Sequence, residues 1–336
     1  MPLQYYDPML YASTSANPNV MSVTVTLTEP VEGELLREAV EQCRVRFPYF
    51  YIRPRVEGNE LIPVPNPLPV IVRGTWAPTL LCSRETNYHL MAFKYEGNRL
   101  AVEMVHSISD GAGLLPYLKS VLYVYLSQKC QTQYDPTGFR LPGQAIPDTE
   151  IGDPFPGIDV DSVEAPFYQK PPVADFYQLS NRHPVGRDHW QVYFLKLPED
   201  QVIRYCRDND GSPNVLISAL LARAIRQADP DDERTITAGV AIDHKAMLGN
   251  SDNYRLFANI ASVDFPKERS GCEVACVNHS FFLAFSQAFE SRDVLETFLR
   301  EMESAGISYE VMRTEPYRLS GVRYDDILDE TTPLNI

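Results

Sequence analysis

Positive charge is in short supply: 30 Lys and Arg stand against 45 Asp and Glu, a formal net charge of −15 over 336 residues. A surface that acidic repels phosphate backbones, so nucleic acid is not an expected partner. Long apolar runs are missing as well. Stretches such as residues 121–126 fall far short of the ~20 apolar residues that a membrane helix needs, so no membrane span is expected. The opening MPLQYYDPMLYASTSANPN has neither a basic region nor an apolar one, and no secretory leader is read from it. The six cysteines, at 43, 82, 130, 206, 272 and 276, are too scattered for a small disulfide framework. A reduced, cytoplasmic protein is the expectation. There is no low-complexity tract, and no phosphate-binding glycine loop, nucleophile elbow or dinucleotide fingerprint.

What is present is an ordinary globular composition, 44% hydrophobic and 22% charged, with 27 prolines that suit long ordered connections. At ~150 residues per domain, the length points to two domains or lobes. Residues 21–27 (MSVTVTL) alternate as a half-buried strand does. Residues 31–43 place Val31, Leu35, Leu36, Ala39, Val40 and Cys43 at helical spacing opposite a Glu-rich face. Pro48, in Arg46-Phe47-Pro48-Tyr49-Phe50, ends that helix and leaves 49–56 extended. Residues 89–95 and 99–105 flank Glu96-Gly97-Asn98 as a hairpin. Residues 114–128 return to helix, with Leu115, Leu118, Leu122, Tyr125 and Leu126 as the expected buried stripe. Between 131 and 188 the pattern dissolves; nine prolines fall there, and the stretch reads as a crossing connection. Beyond it, strands are expected at 189–197, 234–242 and 257–265, and helices at 198–207, 215–228, 276–289 and 294–305.

One segment carries more chemistry than the rest. Val105-His106-Ser107-Ile108-Ser109-Asp110-Gly111-Ala112-Gly113 stands where the second hairpin strand runs into a helix. A histidine at a strand end faces whatever cleft lies beyond the sheet. Histidine suits general-base work because its ordinary pKa, about 6.5, lies near working pH. Gly111 and Gly113 are expected to let the chain turn sharply without Cβ clashes. Asp110, four residues after His106, can fold back beneath the loop and pin the turn through a cation from elsewhere in the chain. The short pattern HxxxDG does not by itself decide between a catalytic and a structural histidine. Cys272, Cys276 and His279 sit at helical spacing but lack a fourth ligand in pattern, so no metal site is expected.

The His106 segment resembles the HxxxDG motif of the CoA-dependent acyltransferase superfamily, whose fold is chloramphenicol-acetyltransferase-like. Its members include alcohol acetyltransferases and the condensation domains of peptide synthetases. The likeness runs along the chain in order. Arg46-Phe47-Pro48-Tyr49-Phe50 is similar to the R-x-P-x-L stretch after the early helix of these proteins. Residues 214–227 (NVLISALLARAIRQ) resemble their second-half helix, and 234–248 (RTITAGVAIDHKAML) the strand that ends in a V-D-L-R pattern. Residues 259–265 fall where a following strand is expected.

The resemblance implies roles residue by residue. His106 matches the histidine that takes the acceptor's proton as the acceptor attacks a thioester carbonyl. Asp110 matches an architectural aspartate that pairs with an arginine, and Gly111 the glycine that follows it. The place of that arginine is taken by Lys245, after Ile242, Asp243 and His244. A lysine supplies the charge without the bidentate fork, so a weaker and less directional pair with Asp110 is expected. Asn259 and Ser262, by strand position, are candidates for the substrate tunnel. No DFGWG-like segment follows Asp175-Phe176 or Asp264-Phe265, which sets the plant branch aside. The sequence given stops at Ile336, where members continue with strands that complete the second sheet, so it reads either as a truncated sequence or as an unusually short member without those C-terminal strands.

The expected protein is a two-lobed α/β (α+β) fold with mixed sheets flanked by helices. It has an N-terminal lobe over 1–135 carrying HxxxDG, a proline-rich crossing connection over 136–188 and a short C-terminal lobe over 189–336. The implied activity moves an acyl group from a coenzyme A or phosphopantetheine thioester to the hydroxyl or amine of a small-molecule acceptor. Val105 stands where many condensation domains carry a second histidine, which favours the alcohol-acetyltransferase-like branch. The alternatives are a free-standing condensation enzyme served by an acyl carrier protein, and a non-catalytic binding protein of the same fold.

Overall fold

The computed structural model describes residues 9–14, 18–152, 175–179, 189–243, 245, 250–265, 275–277, 280–287, 289–316 and 320–323. The chain divides into two compact units. One comprises Met1–Ile158, Asp243–Ala258 and Arg318–Ile336, and the other Asp159–Ile242 and Asn259–Tyr317. The units are therefore not the sequential lobes expected at 1–135 and 189–336: two later segments fold with the first unit.

In the first unit the order is α1 (Met9–Ala12), β1 (Val20–Thr26), α2 (Gly33–Cys43), β2 (Ile52–Glu57), β3 (Glu60–Pro65), β4 (Val72–Arg73), β5 (Leu80–Leu81), β6 (Met91–Glu96), β7 (Arg99–Val105) and α3 (Gly111–Lys129). The main sheet runs β1-β7-β6-β4, antiparallel except for the β4–β6 pair. β7 is buried from Leu100 to Val105 on both faces, as a central strand covered on each side must be. The β6–β7 reversal uses Gly97 at φ +59°, a conformation open to glycine at no steric cost. Leu36, Ala39, Val40 and Cys43 of α2 enter the same core as Phe47, Phe50 and Tyr117, whose rings meet edge-on or stacked.

Two local expectations need correction. The segment expected to be extended from residue 49 first makes a 3₁₀ turn, Pro48–Phe50, and only then pairs β2 with β3. β3, for which the sequence carried no expectation, holds Pro63 and Pro65; both sit in a two-stranded ribbon, where a missing N–H is tolerated. The helix after the motif begins at Gly111, and its buried side is Leu114, Tyr117, Leu118, Val121 and Tyr125. Leu115, expected inside, is exposed. Apolar residues ring this helix, so spacing alone leaves the inward face ambiguous.

Among the described residues of this unit, several buried charges are paired. Arg46 places two guanidinium nitrogens on the Glu150 carboxylate, and Tyr49 donates to Glu150 Oε2 at 2.9 Å, all three side chains lying inside. Glu150 belongs to the proline-rich stretch, so that connection is anchored in the first unit by a bidentate pair. Lys94 Nζ donates to Glu103 Oε1 at 2.5 Å, and Ser320 Oγ to Glu103 Oε2 at 2.6 Å. Ser320 in turn accepts from Thr79 N, beside the parallel pairing of Gly321–Val322 with β5.

His89 is fully enclosed, its Nε2 on the carbonyl of Leu68 at 2.7 Å. A carbonyl only accepts, so Nε2 carries the proton, and Nδ1 has no partner. Burial pushes its pKa down to about 4 from an ordinary 6.5. Because the folded value is the depressed one, the unfolded chain takes up the proton first as pH falls. This group therefore leaves stability untouched above pH 6.5 and withdraws it between 6.5 and 4, by about 2 kcal/mol at pH 5. Urea unfolding at pH 7.5 and pH 5 checks this: His89→Gln is expected to shrink the difference between the two pH values by that amount.

In the second unit the order is β8 (Gln191–Pro198), α4 (Glu199–Asp208), α5 (Pro213–Ala228), β9 (Ile236–Asp243), β10 (Ala258–Phe265), β11 (Ala275–Val277), β12 (Ser280–Gln287), α6 (Asp293–Ser304) and β13 (Glu310–Pro316). β8 is central in an antiparallel sheet ordered β11-β12-β8-β13, and β9 pairs with β10. Ser212 caps α5 with Pro213 as its first residue, and Leu216, Ile217, Leu220 and Ile225 face the core. Val294, Leu295, Phe298 and Met302 of α6 join them.

The helix expected over 276–289 is instead the hairpin β11–β12, with Val277 opposite Ser280. Phe281, Leu283, Phe285 and Gln287 are buried while Phe282, Ala284 and Ser286 are exposed, a strict period of two. Phe282 and Ala284 on the outer face mask that alternation in the sequence. The helical spacing read for Cys272, Cys276 and His279 falls with that helix; Cys272 and His279, with His244, lie outside the described residues. No helix among the described residues is long and apolar enough to cross a membrane.

Candidate active site

β7 delivers His106 to the end of the main sheet. Its backbone N–H donates to the carbonyl of Asn19 at 2.8 Å, one rung beyond the Val20–Val105 pairing, so its position is fixed by the β1–β7 ladder. The chain then makes one 3₁₀ turn, His106–Ile108, before Asp110 caps α3. His106 is partly exposed, while Ser107, Ile108, Ser109 and Asp110 are buried.

The turn brings the carbonyl of Ser109 within 3.0 Å of His106 Nδ1. The carbonyl has no proton to give, so Nδ1 is the protonated nitrogen of the neutral ring, and the Nε2 lone pair is left as the basic site. Asp110 makes no contact of this kind with the imidazole. Its Oδ1 accepts from Gly113 N at 3.0 Å and from Lys245 Nζ at 2.6 Å, and its Oδ2 accepts from Phe257 N at 3.0 Å. The carboxylate thus caps the helix, joins two distant backbone segments and meets its counter-charge, with both members of the Lys245 pair buried. A lysine suffices because a backbone N–H already holds the second oxygen. Directionality comes from the two backbone donors rather than from a fork, a compensation that composition alone does not show.

The two glycines differ. A Cβ on Gly113 would meet the carbonyl oxygen of Tyr254 at 2.2 Å and Ser109 Oγ at 2.3 Å, so the close approach requires glycine. Gly111 has open space where its Cβ would stand and no positive φ, so the steric need expected for it is absent. Asn259 and Ser262 lie on β10, mostly within the other unit; Ser262 is exposed, and the side chain of Asn259 is outside the described residues.

Three contributors had no signal in the sequence. Ser109 Oγ donates to the carbonyl of Tyr254 at 2.7 Å, Phe257 supplies its backbone N–H to Asp110, and Tyr254 N donates to the carbonyl of Glu150 at 2.7 Å. These partners stand about a hundred residues or more apart in the chain. Among the described residues there is no cluster of three or more His, Cys, Asp or Glu that could hold a metal ion.

Neither a family model nor a curated protein sequence matches the chain. Solved structures do. TRI101 from F. sporotrichioides, solved with coenzyme A and T-2, is similar over 79% of this chain and 69% of its own at 12% identity, TM-score 0.50. A structure of condensation-domain-mediated chain release from the enacyloxin polyketide synthase is similar over 90% and 83% at 11% identity, TM-score 0.52. The epimerization domain from the third module of tyrocidine synthetase B is similar over 88% and 94% at 9% identity, TM-score 0.53. The fold is that of the CoA-dependent acyltransferases and condensation domains. At these identities the acyltransferase-like fold is common ground and the chemistry has to come from this chain's own residues.

Proposed function

We propose that this protein is an acyltransferase that moves an acyl group from a thioester to the hydroxyl or amine of a small-molecule acceptor, with His106 as general base. The observation that carries the reading is the Ser109 carbonyl on His106 Nδ1, which leaves Nε2 unprotonated in the neutral ring of an acyltransferase-like fold. The acceptor O–H or N–H gives its proton to Nε2 as its heavy atom forms the new bond to the thioester carbonyl carbon. The tetrahedral intermediate then expels the thiolate, which takes the proton back from Nε2, yielding an ester or amide and a free thiol. Asp110 and Lys245 neither gain nor lose a proton in this scheme; they hold the turn. The thiol half of the donor is pantetheine in both of its sources, coenzyme A and a carrier protein.

The test is thiol release from a panel of acyl-CoA donors, and in parallel from acylated carrier protein, each with alcohol and amine acceptors. Release from acyl-CoA that depends on an acceptor supports the free thioester as donor; release from the carrier alone points to a condensation-type enzyme. A folded protein that releases thiol from neither donor contradicts the proposal and favours a binding protein of this fold.

A further inference from the structure

Resting on that reading of His106, we infer that Ser109 is a positioning residue whose hydroxyl, through the backbone carbonyl of Tyr254, selects the imidazole tautomer competent as a base. The His106 ring is aimed by the carbonyl of Ser109, so whatever orients that carbonyl orients the ring. Ser109 is fully buried, in extended backbone between the 3₁₀ turn and α3. Its hydroxyl makes its short bond to Tyr254 O at 2.7 Å, with a longer approach to Asp110 O at 3.2 Å.

The acceptor end is itself held by hydrogen bonds. Tyr254 N is tied to the Glu150 carbonyl, and Glu150 is gripped by Arg46 and Tyr49. Arg255 N closes a local turn on Asn253 Oδ1 at 2.9 Å. Gly113 is shaped to the same contact, since a methyl there would displace both partners of the Ser109–Tyr254 bond. Asp110, the next residue, is held by three donors, so the 109–110 peptide is restrained from both ends. Without the hydroxyl, a buried carbonyl loses its donor and the Ser109 peptide gains rotational freedom. The Nδ1–H bond weakens, and the ring then populates the alternative tautomer, with the proton on Nε2, where no base remains.

The experiment uses nitrogen-15 imidazole spectra of histidine-labelled protein at pH 8, with the His106 signal assigned by its loss in His106→Ala. The wild type is expected to show protonated Nδ1 and bare Nε2. Ser109→Ala is expected to shift His106 toward a mixture of tautomers and to lower kcat about tenfold, with KM for the thioester within about twofold. Ser109→Cys, which keeps a weak donor, should fall between them, and it serves as the reporter if the alanine variant does not fold. An unchanged His106 tautomer in Ser109→Ala and Ser109→Cys overturns the inference, whatever the rate. A shifted tautomer with an unchanged kcat leaves the positioning role standing and instead overturns His106 as the base.

Discussion

Lys245→Met is expected to lower the unfolding free energy of the first unit by about 3–5 kcal/mol, the usual cost of removing one partner from a buried ion pair. The side chains of Lys245 and Asp110 are 1% and 7% exposed, so bulk water does little to screen the charge left behind. The Gly113 and Phe257 N–H groups remain on the carboxylate and soften the loss, but they carry only partial charge. Because segment 243–258 and the helix α3 meet at this carboxylate, the change also loosens the frame around His106. Urea unfolding followed by tryptophan and far-ultraviolet signals measures the effect. A shift under 1 kcal/mol would mean that the pair is not the tie between these segments.

His106→Ala is expected to reduce acyl transfer about 10²–10⁴-fold, the range for losing a positioned general base. The loss should fall on kcat. The pantetheine arm and the acceptor are held by groups other than the imidazole in this account, so KM for the thioester stays within about threefold. The residual rate reflects proximity of the two substrates, which the variant leaves intact. His106→Gln is a useful companion: its amide can take the hydrogen bond of the ring but not the proton, and it should be as impaired as the alanine variant.

Much of the frame was legible in the sequence because it rests on local patterning. The helix at 33–43, the β6–β7 hairpin and α4, α5 and α6 follow from apolar spacing, caps and turn residues that lie side by side in the chain. The misread parts are those where both faces of an element are apolar. α3 turned its inward face away from Leu115, and the aromatic run of β12 passed for helix. The grouping into units left no local mark, since Lys245, Phe257 and Ser320 meet the first unit through long-range contacts that leave no periodicity.

The site divides in the same way. His106, Asp110 and Gly113, the residues proposed for it, stand within eight residues of sequence, close enough for motif spacing to single them out. Lys245 was reached only through resemblance, because a lysine 135 residues from its partner has no local mark. Ser109 was inside the motif yet carried no expectation, as its role depends on a backbone carbonyl 145 residues away. Backbone acceptors and donors have no residue signature, so Tyr254 and Phe257 were beyond reach.

The proposed role of the His106 Nε2 lone pair is to take the acceptor's proton during acyl transfer. Its most direct test is the rate of acylated-acceptor formation, read by mass spectrometry, for wild type and His106→Ala under donor saturation with the best donor–acceptor pair from the thiol-release panel. Product is expected from the wild type and at least about a hundredfold less from the variant, with both proteins folded. Equal rates from the two proteins would contradict it.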